Sequence, residues 1–324
     1  MKPKILITTN IDHLDTSLID GKFEIVQGLD PDVPMTRAEV LALVSDVEFI
    51  VNQNELKIDK ELLAKAGRLK VVANTTAGFD NMDIGAMTDA GVWGTNCPSE
   101  FASATADHTM CMILAVMRRL IPADNFVRNG NWPIKGWAPA VWAGNTLEGK
   151  ALGLIGYGAI GKMVARRAEG FGMDVSFHSK SGEAEPGYKV LEELLTTSDV
   201  ISLHCPLTPA TRHLISRREL QLMKPSAWLV NVSRGPVVDQ AALVEALEND
   251  WIKGAGCDVF EFEPDVDPRL FKLNNIVMSP HLGGATHESF QNAWQNSFAN
   301  VASFLCDQTL ITPINALKAH SHDY

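Results

Sequence analysis

Residues 151–161 read Ala-Leu-Gly-Leu-Ile-Gly-Tyr-Gly-Ala-Ile-Gly, and they constrain the fold of this 324-residue chain more than any other stretch. Ala151 to Ile155 is a short apolar run of buried-strand type. Gly156, Gly158 and Gly161 then fill a G-x-G-x-x-G pattern. A helical segment follows, with Ile160, Val164, Ala168 and Phe171 on one face. Strand, turn and helix in that order form the context a dinucleotide-binding turn requires. Gly156 allows the tight turn, and Gly158 lets backbone approach a pyrophosphate. Gly161 lets the helix pack on the strand, whose following helix N-terminus offers unpaired N–H groups and partial positive charge. Without those flanks, the same glycines would describe a plain surface turn.

The alternation continues on both sides. Before the turn, strands are expected at Ile5–Thr8, Phe23–Gln27, Val47–Val51 and Leu69–Ala73. Thr36 and Glu39 form a T-x-x-E capping box ahead of a helix carrying Val40, Leu43 and Val44, and Asp59 caps a second helix that ends at Gly67. Pro98 and Ser99 mark a break. Ser99–Leu120 has helical character with several apolar sides (Phe101, Met112, Ile113, Leu114, Val116), which fits a buried inter-domain helix or a subunit interface equally well. Residues 129–145 read as a loop containing Trp132, Trp137 and Trp142. Beyond the turn, strands are expected at Val175–His178, Val200–His204, Trp228–Asn231, Gly254–Asp258 and Ile276–Met278. Ser216 and Glu219 form a further capping box, Asp239 caps a helix, and 286–306 is a last helix. His320–Tyr324 reads as a disordered polar tail. The expected fold is α/β, with parallel sheets and crossover helices.

Composition excludes several classes. Net charge is −11, which argues against nucleic acid or an anionic membrane as partner. No run reaches the length of a membrane span, and the N-terminus is too short an apolar stretch for a signal peptide. Cys97, Cys111, Cys205, Cys257 and Cys306 are scattered and odd in number, without C-x-x-C spacing. That fits reduced thiols in a cytoplasmic protein, not a disulfide framework or a metal site.

The strand after a dinucleotide turn usually ends in an acid that binds the ribose 2′-hydroxyl. Here it ends Phe177-His178-Ser179-Lys180-Ser181, and Asp174 stands at the strand's wrong end. Ser179, Lys180 and Ser181 instead suit a 2′-phosphate, so NADPH is expected in preference to NADH, with NADH possible.

Three ionisable residues stand at or just past expected strand ends: Arg234, Glu263 and His281. Ligands of open α/β sheets bind at those ends. Hydride transfer to a carbonyl needs a proton for the oxygen, which a histidine can give. A neighbouring carboxylate favours its charged form, and an arginine can grip a substrate carboxylate. Singly, each also reads as an ordinary surface or loop residue.

At this depth the chain resembles the D-isomer-specific 2-hydroxyacid dehydrogenase family. The resemblance rests on Gly149-Lys150, Gly-Tyr-Gly-Ala-Ile-Gly, His204-Cys205-Pro206-Leu207-Thr208 and Val230-Asn231-Val232-Ser233-Arg234-Gly235. It continues through Asp258-Val259-Phe260, Glu263-Pro264 and Ser279-Pro280-His281-Leu282-Gly283-Gly284. It implies two Rossmann-like, doubly wound domains: a substrate-binding lid of residues 1–98 and 288–324, and an inserted cofactor domain of residues 99–287. It implies that Arg234 binds the 2-oxo acid, that His281 donates the proton to it, and that Glu263 orients His281. Ala77 and Gly78 would hold the substrate carboxylate through backbone N–H groups. Tyr157, Ala159 and Ile160 would lie against the pyrophosphate. Cys205, Pro206, Val232, Asp258, His281 and Gly283 would line the cofactor, with Asp258 facing the nicotinamide amide. A homodimer built on the cofactor domains is implied as well.

Two positions depart from the family pattern. Thr76 replaces the first glycine of a turn that often reads G-x-G, and Ala106-Asp107 replaces Ala-Glu. Ser179-Lys180-Ser181 and the tryptophan-rich loop resemble the NADPH-using glyoxylate and hydroxypyruvate reductases of the family, with Trp142 the candidate for a substrate-site tryptophan. The expected activity is NADPH-dependent reduction of a small 2-oxo acid. The alternatives are a larger 2-oxo acid, or a non-catalytic nucleotide-sensing protein of corepressor type.

Overall fold

The computed structural model describes residues 2–317 apart from Asn54, Trp137, Ser181 and Glu183. The chain forms two compact units. One takes the chain up to Phe101 and again from Ala285, and the other is Ala102–Gly284.

The first unit holds β1 (Lys4–Ile7), β2 (Glu24–Gln27), β3 (Phe49–Asn52), β4 (Val71–Asn74) and β5 (Trp93–Thr95). All pair in parallel, in the order β2-β1-β3-β4-β5. β3 and β4 are buried at every position, which is why they read as continuous apolar runs. Alternate side chains serve opposite layers. Leu6, Ile50 and Val72 pack with Val40, Leu62 and Met87 from the helices Arg37–Leu43, Lys60–Lys65 and Ile84–Asp89. Ile5, Ile7, Phe49, Val51, Val71 and Ala73 pack with Trp294, Phe298 and Val301 from the helix His287–Asp307. Thr36 and Glu39 exchange both capping-box bonds, and Asp59 accepts from the Leu62 amide. The helix Ile84–Asp89 and strand β5 are additions to the sequence reading. At six and three residues, they are too short to display a period.

The second unit holds β6 (Ala151–Ile155), β7 (Asp174–His178), β8 (Val200–Leu203), β9 (Trp228–Asn231), β10 (Gly254–Cys257) and β11 (Ile276–Met278). These too are all parallel, ordered β11-β10-β9-β8-β6-β7. A single parallel bridge from Phe177 to Tyr188 adds one rung outside β7. One face is covered by Leu194, Leu195, Leu220, Leu243 and Leu247, and the other by Ile113, Val164, Ala165 and Ala168. The order reverses between β6 and β8, which places the ligand crevice at their carboxyl ends.

The helix expected over Ser99–Leu120 runs from Ala102 to Met117. It lies on this unit's own sheet: a side chain at Gly256 of β10 would sit 3.4 Å from both Met112 and Val116. That packing explains its several apolar sides. The segment read as a loop contains two short helices, Asn131–Lys135 and Pro139–Trp142. Phe171, expected on the buried face of the helix Ala159–Gly170, is exposed at its C-cap. Trp137, Ser181 and the tail His320–Tyr324 lie outside the described residues.

Candidate active site

The glycine turn follows β6 and opens the helix Ala159–Gly170, with Gly158 as its N-cap. Each glycine has a separate physical cause. Gly156 has φ +98°, and a Cβ there would stand 2.6 Å from the Cys205 amide nitrogen. A Cβ on Gly161 would meet the Gly156 carbonyl at 2.3 Å, so strand and helix could not approach. A Cβ on Gly158 would meet nothing within 4 Å, which leaves open space beside the helix N-terminus. Ala159 is exposed and Ile160 half-buried there. This cradle fits a pyrophosphate.

Tyr157 turns its ring onto Phe177, with centroids 3.8 Å apart and planes within 6°. Lys162 Nζ lies 5.4 Å from the centroid of that ring. Ser179 is half-buried just past β7, and Lys180 is exposed with no ion pair among the described residues. Asp174 opens β7, at the end far from the turn. Cys205 is buried behind Gly156, which pushes its thiol up to about 11. Pro206 beside it is exposed. His204 donates to or accepts from Ser202 Oγ at 2.9 Å, and desolvation holds its ring down to about 3, hence neutral.

Arg234, Glu263 and His281 follow β9, β10 and β11, so all three stand at carboxyl ends of neighbouring strands. His281 Nδ1 lies 2.8 Å from one Glu263 oxygen, and the other oxygen accepts from the Phe260 amide at 2.7 Å. Burial works against the Glu263 carboxylate. The His281 hydrogen bond, the Phe260 amide and the charges of His281 and Arg234 outweigh it and hold Glu263 below the usual range. Arg234 Nη1 donates to the Ser233 carbonyl at 2.8 Å. Gly235 is the hinge of this arrangement: a Cβ there would lie 1.8 Å from the Phe260 carbonyl oxygen. Glycine at that position lets the Arg234 loop touch the loop that carries Glu263. Val232, one turn earlier, is buried.

His281 has φ +56°, a left-handed conformation uncommon for a residue with a side chain. Asp258 holds it there. This carboxylate is buried, and its carbonyl accepts from the His281 amide at 2.8 Å. Its Oδ1 accepts from Ser279 Oγ at 2.6 Å and the Leu282 amide at 2.7 Å, and its Oδ2 from the Gly283 amide at 2.7 Å. His108, from the helix Ala102–Met117, reaches Ser279 Oγ at 3.1 Å and Asp258 at 3.3 Å. Sequence reading missed His108, and it named Ser279 only as part of the family motif, without a role. A lone histidine in an apolar helix carries no signal until the fold brings it to a carboxylate.

In the first unit, Ala77 and Gly78 follow β4 in a turn whose carbonyls accept from side chains: Ala77 from Asn96 at 2.7 Å, and Gly78 from Thr76 at 2.9 Å. Trp142 packs against Phe126, with centroids 4.9 Å apart, and lies under Arg119 at 5.7 Å. It lines a cavity of about 610 Å³ with Arg118, Glu148 and Phe171, separate from Arg234, Glu263 and His281. Among the described residues, no group of three or more acidic, histidine or cysteine side chains could hold a metal ion. No helix there is long and apolar enough to cross a membrane.

A parallel sheet with a pyrophosphate cradle at one strand end, and a histidine–glutamate pair and an arginine at others, defines an NAD(P)-dependent oxidoreductase. Comparison with known proteins narrows the class. Residues 110–283 match the family described as D-isomer specific 2-hydroxyacid dehydrogenase, NAD binding domain, and the chain belongs to that family. It is 45% identical over 312 residues to a glyoxylate reductase of Thermococcus litoralis, covering 94% of each chain. Among solved structures it resembles an NADPH-dependent glyoxylate/hydroxypyruvate reductase of Sinorhizobium meliloti in complex with NADP and malonate. That match has a TM-score of 0.86 and 29% identity, and covers 97% of each chain. A glyoxylate reductase of Paecilomyes thermophila matches with a TM-score of 0.85 and 30% identity, over 97% of this chain and 98% of that one.

Proposed function

We propose that this protein is a cytosolic homodimeric reductase that uses NADPH to convert a small 2-oxo acid, glyoxylate or hydroxypyruvate, to the 2-hydroxy acid. The observation that carries the reading is the 2.8 Å His281–Glu263 pair at the carboxyl end of the sheet that also bears the glycine cradle. The relatives named glyoxylate reductase support the substrate class.

The nicotinamide, when bound, supplies the hydride to the carbonyl carbon. Glu263 occupies His281 Nδ1, which leaves Nε2 to give its proton to the carbonyl oxygen. As His281 gains charge before that transfer, Glu263 stabilises it. Arg234 grips the carboxylate and carbonyl of the substrate through its guanidinium fork. Backbone N–H groups of Ala77 and Gly78 hold the carboxylate. Gly156, Gly158 and Gly161 shape the pyrophosphate site, and Val232, Gly283 and Pro206 border the nucleotide. Exposed Lys180, which has no ion pair among the described residues, with Ser179, and the lack of an acid at the end of β7, support a 2′-phosphate. A solved relative bound to NADP supports the same preference. Exposed apolar side chains on residues 120–142, with Ile134 81% and Trp132 50% exposed, support a second copy as the partner.

The test is loss of reduced-nicotinamide absorbance with glyoxylate, hydroxypyruvate, pyruvate and phenylpyruvate, each with NADPH and NADH. Fast NADPH oxidation with the first two is expected. K180A should raise the KM for NADPH about tenfold and leave that for NADH unchanged. An NADH preference in the unaltered protein overturns the cofactor assignment. No oxidation with any acid overturns the reaction.

A further inference from the structure

Two glutamates flank the exposed Phe262, and they reach different partners. Glu263 meets His281. Glu261 has a side chain only 7% exposed, and a carboxylate so far removed from water persists only with donors on it. Its Oε1 lies 2.7 Å from His213 Nε2 and 3.4 Å from Arg212 Nη2. Its Oε2 accepts from the Gln240 amide at 3.2 Å. The Glu261 amide in turn donates to Gln240 Oε1 at 3.1 Å, so these two residues bond each other twice. None of these side chains takes part in the chemistry proposed above.

The bonds connect three segments that follow neighbouring strands. His213 lies beyond β8, Gln240 beyond β9 and Glu261 beyond β10. His213 has φ +52°, a left-handed backbone uncommon for a residue with a side chain. It is held from two sides: its amide donates to the Pro236 carbonyl at 2.8 Å, and its ring meets Glu261. Pro236 stands two residues after Arg234, and Glu261 two before Glu263. One histidine thus ties the loop of the arginine to the loop of the glutamate. Backbone kept in a sparsely populated region by contacts to two site loops marks a functional constraint.

We infer that Glu261 and His213 are positioning residues that clasp the Arg234 and Glu263 loops together and so set Glu263 against His281 Nδ1. The Phe260 amide that holds the second Glu263 oxygen belongs to the same loop. It travels with Glu263 and cannot fix the distance to His281. That distance depends on where the loop sits against its neighbours, and a drift of about 1 Å can cost a reaction about a hundredfold. The consequence for reduction of a 2-oxo acid rests on the function proposed above, whereas the hold on the His281–Glu263 pair does not.

The test uses the full chain, unaltered and as E261Q, H213L and H213Q. E261Q keeps the shape of the side chain and replaces one acceptor oxygen by an amino group. H213L removes the ring donor, and H213Q puts back an uncharged one. The first readout is the proton on His281 Nδ1, followed in the resting protein by ring 15N shifts at about pH 8.5, above the ordinary histidine range. Glu263 should keep that proton on Nδ1 in the unaltered protein. E261Q and H213L should return the ring to the mixed tautomers of a free histidine, and H213Q should match the unaltered protein. The second readout is steady-state kinetics. E261Q and H213L should lower kcat with glyoxylate about tenfold and leave the KM for NADPH within about twofold, because the glycine cradle follows a different strand, β6. A purely structural role would instead lower the melting temperature and leave the His281 tautomer unchanged. The inference is overturned if both variants keep His281 protonated on Nδ1, or if both turn over glyoxylate as fast as the unaltered protein. A shifted tautomer in a protein that reduces no 2-oxo acid would retire the proposed function and leave the clasp standing.

Discussion

His281 meets two demands at once. Its ring must present a proton, and its backbone must hold φ +56° in a turn between two strand-end loops. H281A should lower kcat by a factor of 10² to 10⁴ while leaving cofactor affinity near normal, as stopped-flow and fluorescence titration would show. E263Q keeps a hydrogen bond to Nδ1 but removes the charge that supports an imidazolium, so a smaller loss of kcat is expected. A kcat within a few-fold of normal in H281A would remove the proton donor from the mechanism. The candidates at this scale were visible in the sequence because Arg234, Glu263 and His281 each follow an apolar run, where strand ends are expected. Their pairing was not visible. The 18-position separation of Glu263 and His281 gives no distance, and the fold brings the two side chains to 2.8 Å. Asp258 shows the same limit. Its position at the end of the expected strand Gly254–Asp258 was plain, but its grip on the Ser279, Leu282 and Gly283 donors depends on a turn no local pattern announces.

At the scale of elements, Asp258 is the bolt that joins β10 to the turn after β11. Desolvation pushes its pKa up, but donors from His108, Ser279 and the Leu282 amide overcome that and hold it below the usual aspartate range. A carboxylate lowered in the folded state adds stability above its unfolded pKa of about 3.9, and loses that contribution as pH falls through the lowered value. D258N should therefore cost stability on the order of 2–3 kcal/mol at pH 7, because two backbone donors and Ser279 lose a charged partner. The gap between the two proteins should narrow below about pH 4, as denaturant midpoints across pH would show. A constant gap would mean that Asp258 does not carry the charge in the folded state. Long buried strands and capped helices were legible from apolar runs and from the Thr36–Glu39, Ser216–Glu219, Asp59 and Asp239 signals. The helices Asn131–Lys135 and Pro139–Trp142 escaped because five and four residues among prolines and glycines cannot display a 3.6-residue period.

At the scale of the whole molecule, the exposed apolar side chains of residues 120–142 are the feature a second copy would cover. Substituting Ile134 and Val127 by glutamate should shift sedimentation from dimer to monomer, with the glycine cradle unchanged. A monomer in the unaltered protein at micromolar concentration would end the dimer assignment.

The insertion of Ala102–Gly284 into the first unit has a consequence in time. Trp294, Phe298 and Val301 form one side of the core that β1, β3 and β4 need, yet they leave the ribosome only after the entire inserted unit. The first sheet emerges with one apolar face bare, and it waits. The inserted unit is complete in sequence before that helix is made, so it can fold alone and draw its two ends toward each other. In doing so it shortens the loop that the last helix must close. The part of the chain synthesised first is thus the part finished last.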